Sequence, residues 1–133
     1  MADKAAFAPN AATIMSLAQA AVARLPDAFR EHLRDVVIRV EDFADEEILR
    51  ELGLDSEWDL TGLYQGRPMS EQAIWSSGEL RPTISLFRVP LLSEWVETGV
   101  SLEELVNHVI VHEVGHHFGL SDDEMHAIEN DRS

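Results

Sequence analysis

The sequence predicts an α+β fold: a small sheet of roughly three strands, mixed or antiparallel, packed on one central helix with further helices at its flanks. Three observations predict it. The stretch from Ser101 to Phe118 reads as a capped helix, and its second half (Val109, Ile110, Val111, Val114, Phe118) is apolar on nearly every side, as in a buried helix. Val36–Val40, Leu60–Tyr64 and Thr83–Val89 are short β-branched or alternating segments, as in strands. The other periodic stretches have helical spacing. With 133 residues, one domain over 1–133 is expected, large enough for its own core.

Residues 1–9 look like a flexible arm ending at Pro9. Asn10 is a suitable N-cap for a helix to Arg24, with Ile14, Leu17, Ala21, Val22 and Leu25 on one stripe. Pro26 ends it. A short helix from Asp27 to about Arg34 should bury Phe29 and Leu33. Val36–Val40 is the clearest strand. Asp45–Leu52 is a helix candidate with Ile48, Leu49 and Leu52 inward and Gly53 as its stop. Asp55–Asp59 is a loop carrying Trp58. Leu60–Tyr64 is the second strand, closed by the turn 65–68, and 69–78 reads as loop. Thr83–Val89 is the third strand, bounded by Pro82 and Pro90. Leu91–Glu97 forms a short helix stopped by Gly99. Ser101 and Glu104 make a capping box at the start of the central helix, which should reach His117 or Phe118. A last helix covers Asp122–Asn130.

The formal net charge of −15 repels phosphate backbones and anionic lipid, so neither nucleic acid nor a membrane surface is an expected partner. No apolar run approaches the roughly eighteen residues of a membrane span. Ala21-Val22-Ala23 resembles a leader cleavage site, but Thr13, Ser16 and Gln19 interrupt the apolar stretch before it and argue against a signal peptide. Cysteine is absent, which fits a cytoplasmic location and leaves only His and carboxylates as metal ligands.

The chemistry concentrates at His112-Glu113-Val114-Gly115-His116, an H-E-x-x-H pattern followed by Gly119 and Asp122. Imidazoles at i and i+4 share a helical face, a spacing from which both can ligate one Zn²⁺. Glu113 can take a proton from a water that the metal polarises; the plainer reading pairs its carboxylate with a neighbour such as His117. Gly119 can turn the chain and return an anionic third ligand. Asp122 is the first residue placed to do so, and Asp123, His126 and Glu129 are the alternatives. Asp123 is also a candidate cap for the last helix, and His126 reads otherwise as a surface histidine. His117 can orient Glu113 or a substrate carbonyl, or be a satisfied structural histidine. His108 should be exposed, and His32 carries no pattern. Tyr64 is a core or rim tyrosine before it is an oxyanion donor. Trp58, Trp75 and Trp95 should pack. Gly115 costs about 1 kcal/mol relative to Ala inside a helix, which points to a strand or loop crossing close by.

The stretch HEVGHHFGLSDD at 112–123, with LPDAFREHL at 25–33, VVIRVED at 36–42, GLYQGRPM at 62–69 and TISLFRVPL at 83–91, resembles the small bacterial family of zincin-like metallopeptidases with a minimal domain. The resemblance implies a minimal zincin-like fold, His112, His116 and Asp122 as zinc ligands, and Glu113 as catalytic base. The motif is also similar to that of the metzincins. It departs from them in having Asp in place of the third His, and in placing Met125 too near Gly119 to form a Met-turn. The expected function is zinc-dependent hydrolysis of a peptide or protein substrate, paired as an extended segment with an exposed strand edge, Thr83–Val89. Two other readings are a zinc-stabilised domain that binds peptides without cutting, and a metal-dependent RNA-processing hydrolase, which Glu113 and the acidic charge disfavour.

Overall fold

A computed structural model describes residues 7–66 and 81–130, apart from the side chains of 122 and 128–130. Its elements are α1 (Ala11–Ala23), α2 (Asp27–Arg30), β1 (Val37–Glu41), α3 (Glu46–Leu52), β2 (Gly62–Gln65), β3 (Thr83–Phe87), α4 (Arg88–Thr98), α5 (Leu102–Phe118) and α6 (Asp122–Asn130), with a 3₁₀ turn at Glu57–Asp59. The α+β class is as expected: six helices among the described residues and a mixed three-stranded sheet. The expected loop 69–78 and Trp75 lie outside the described residues, as do the first six residues of the expected arm.

Local chemistry sets most boundaries. Asn10 accepts a hydrogen bond from the Thr13 amide at 2.9 Å, Asp45 one from the Ile48 amide at 2.9 Å, and Ser101 one from the Glu104 amide at 3.0 Å. Each cap of this kind stabilises its helix by about 1 kcal/mol. At the other ends Gly53, Gly99 and Gly119 take the left-handed conformation, with φ of 72°, 75° and 73°.

The strand order β1-β3-β2 overturns one expectation. β3 is the centre of the sheet, parallel to β1 and antiparallel to β2. The stretch Thr83–Val89 is therefore no exposed edge, and its Ile84 to Phe87 are all buried. A fully buried strand can show period-two alternation and still have both neighbours filled. The strand also ends at Phe87, because Arg88 and Val89 already belong to the first turn of α4. Pro90 sits in that turn too, where a missing amide costs nothing.

The core lies between the sheet, α1 and α5. Ile14, Ala18 and Ala21 of α1 and Val106, Ile110 and Val111 of α5 are at most 2% exposed. Two short elements differ from expectation. α2 stops at Arg30, although Leu33 beyond it is buried and Phe29 meets Phe118 edge-on at 5.0 Å. Leu52 of α3 is 46% exposed and does not face inward, since it is the last residue of the helix before the Gly53 cap. Trp58 is 53% exposed and packs edge-on against Phe43 at 5.2 Å. No described helix is long and apolar enough to cross a membrane.

Candidate metal centre

The motif occupies the last two turns of α5, the most buried of the described helices. Helical periodicity sorts its residues into three directions. His108, His112 and His116 recur every four residues and form one stripe. Val109, Glu113 and His117 lie on the flank that meets β2. Gly115 lies on the opposite flank, facing α6.

The stripe is the most open part of the site. The His116 side chain is about half exposed, and His108 is exposed as expected. The His108 and His112 rings are 4.4 Å apart between centroids, and His126 of α6 meets His112 edge-on at 5.9 Å. Glu113 accepts a hydrogen bond from His116 Nδ1, at 3.1 Å from Oε1. A carboxylate only accepts, so Nδ1 carries a proton, and in the neutral ring Nε2 is then the nitrogen that can bind a metal.

Glu113 is only 9% exposed. Burial pushes its carboxyl above the ordinary value of 4.5, opposed by the charge and hydrogen bond of His116 and by the backbone amide of Tyr64. The Tyr64 contact joins the helix to the sheet. Thr61 receives the Phe87 amide at 2.9 Å, so Thr61, Leu63 and Gln65 turn their polar backbone toward β3. By strand alternation Gly62 and Tyr64 turn theirs outward, and the Tyr64 amide meets Glu113. Gly62 permits the approach: a Cβ there would overlap Val109 of α5.

Tyr64 and His117 make a second link on this flank. His117 Nε2–H donates to the His32 carbonyl at 3.2 Å, which leaves Nδ1 as acceptor for the Tyr64 hydroxyl at 2.9 Å. The hydroxyl thus serves His117, which departs from the oxyanion role considered for it. His117 is the satisfied, buried histidine of the two alternatives, at 2% exposure, and burial lowers its pKa. His32, without a pattern in the sequence, supplies the carbonyl.

On the other flank, Gly115 does make room for a neighbour, but for a side chain where a strand or loop was expected. A Cβ at Gly115 would overlap Sδ and Cγ of Met125, which is 1% exposed. The return of the chain is tight. Gly119 and Leu120 donate to the His116 and Gly115 carbonyls at 3.1 and 2.9 Å, a Schellman closure. Ser121 and Glu124 then cap α6 reciprocally, at 3.2 and 2.8 Å. The cap is therefore Ser121, where Asp123 had been the candidate, and the S-x-x-E spacing was readable in the sequence. Asp123 is exposed.

Asp122 is the first residue of α6, directly after this turn. Its side chain, and that of the alternative ligand Glu129, are outside the described residues. Among the described residues, no three His, Asp or Glu side chains stand together as a metal site. The fit to Zn²⁺ rests on the chemistry of the donor set: two imidazoles one turn apart, one of them hydrogen-bonded through Nδ1 to Glu113, and an aspartate three residues past Gly119 in the sequence. His126 is the described alternative nearest to the pair.

No curated protein matches the chain. Residues 33–132, which span β1 through α6, match the family of zincin-like metallopeptidases, and the chain belongs to that family.

Proposed function

We propose that this zincin-like chain hydrolyses peptide bonds with Glu113 as general base, and that His112, His116 and Asp122 are its zinc ligands. Membership of the family implies zinc and a metallopeptidase. One observation carries the finer reading: a nearly buried carboxylate sits on the turn between the two histidines, held by the His116 imidazole and the Tyr64 amide. A charge so placed is costly to bury and calls for a role.

When bound, Zn²⁺ polarises the scissile carbonyl and acidifies water. Glu113 takes the proton from water and passes it to the leaving amine nitrogen. His116 and Tyr64 keep Glu113 aligned meanwhile. The peptide pairs with an outer strand. β2 is the antiparallel edge beside Glu113 and takes the place expected of Thr83–Val89.

The test combines zinc analysis with a peptide-library cleavage screen of the wild type and Glu113→Gln. Glu113→Gln should retain zinc and lose about 10²- to 10⁴-fold in kcat. Full turnover by that variant would remove Glu113 from the base role. Zinc in the wild type without cleavage of any peptide would favour a domain that binds and does not cut.

A further inference from the structure

We infer that Tyr64 and His117 form a strut that holds Glu113 in place, and that both are positioning residues for the proposed hydrolysis. The inference rests on the base role proposed above and goes beyond it by naming what aligns the base.

Glu113 and His117 are one turn apart on the same flank of α5, and Tyr64 touches both. Its backbone amide donates to the Glu113 carboxylate, and its hydroxyl donates to His117 Nδ1 at 2.9 Å. The Tyr64 ring also meets the imidazole edge-on, with centroids 5.6 Å apart. His117 is anchored in turn by the His32 carbonyl at 3.2 Å. One imidazole thus ties three segments: the chain after α2, the central helix and the edge strand.

The chemistry of His117 makes the strut directional. A carbonyl oxygen can only accept, so the proton is on Nε2 and the lone pair on Nδ1. The Tyr64 hydroxyl must then donate, which sets the rotamer of Tyr64 and the depth at which β2 lies on α5. Gly62, two residues earlier, lets the strand lie that close. With the strand held at both points, the outward amide of Tyr64 is directed at Glu113. A phenylalanine and a leucine could fill the same volume without burying polar groups. They would not specify the position of the amide.

Tyr64→Phe deletes the hydroxyl and keeps the ring, so the fold should survive it. The first readout needs neither metal nor activity. It is amide hydrogen exchange at residue 64 in the metal-free protein, where exchange should be faster in Tyr64→Phe than in the wild type. Unchanged exchange would overturn the strut. The second readout uses the zinc-loaded protein and a peptide that it cleaves. Losing a group that orients a reacting side chain typically costs about 10- to 100-fold, and here the loss should fall on kcat with KM and zinc content unchanged. His117→Gln, which keeps a donor and an acceptor, should recover part of the kcat that His117→Leu loses. A loss confined to zinc content or KM, or an unchanged kcat, would make the pair merely structural and overturn the positioning role. If the wild type cleaves nothing, the proposed function falls, while exchange at residue 64 still decides the strut.

Discussion

The two flanks of α5 are built on different forces. On the β2 flank, Gly62 brings the strand down onto Val109 and a chain of directional bonds follows: Glu113 to the Tyr64 amide, the Tyr64 hydroxyl to His117, His117 to the His32 carbonyl. On the α6 flank, Gly115 takes the thioether of Met125 and the contact is van der Waals packing alone. Both flanks use a glycine to let a neighbour come close. The difference is in what must be placed. The base role proposed for Glu113 needs its oxygens at a defined angle, which hydrogen bonds supply. The returning helix needs only to be held at the right distance, and a flexible, polarisable methionine can do that.

The comparison is tested most severely at the end of the α6 flank. Asp122→Ala should abolish stoichiometric zinc, whereas Asp123→Ala, at an exposed position, should retain it; metal analysis that found the reverse would move the third ligand. A smaller effect is expected where α6 is seated. Met125→Ala should cost about 2–5 kcal/mol in urea unfolding, the usual range for a fully buried side chain. Gly115→Ala should cost about 1–3 kcal/mol through overpacking, and combining it with Met125→Ala should recover part of that. Strict additivity of the two would mean that Met125 does not seat α6 at Gly115.

The smallest effect concerns the polar flank. Burial holds the His117 pKa below its ordinary value of 6.5. Below that value the unfolded chain takes up a proton that the folded one refuses. Stability from neutral His117 is therefore fully present above 6.5 and is lost as pH falls through the lowered folded value. In the metal-free protein, His117→Gln should flatten the fall of stability with acidity. An unchanged slope would mean that His117 does not stay neutral in the fold.

The fold class, the central helix and its caps were legible because they are local. Ser101 with Glu104, Asn10, Asp45 and the glycines after three helices act through neighbours within a turn. The Ser121–Glu124 cap has the same signature and could have been found by it. The placement of His112, Glu113 and His116 on one helix that ends at Gly119 was legible to the same degree, since that spacing is a property of one helix and its exit. Strand order was not. Thr83–Val89 alternates as an edge strand would, and only its pairing with β1 and β2 shows that it is central. Leu52 has the apolar character of an inward residue, yet it lies 46% exposed at the end of so short a helix.

By itself the sequence determined the α+β class, a buried, capped helix carrying His112, Glu113 and His116, and the glycine turn at Gly119 that ends it, because hydrogen-bonding periodicity and chain stiffness act over a few residues. The tertiary structure alone decided which strand is the edge, what fills the space at Gly115 and what holds Glu113. Tyr64 and His117 are 53 positions apart, and His117 and His32 are 85 apart. No local preference brings such groups together; the packing of the sheet on the helix does.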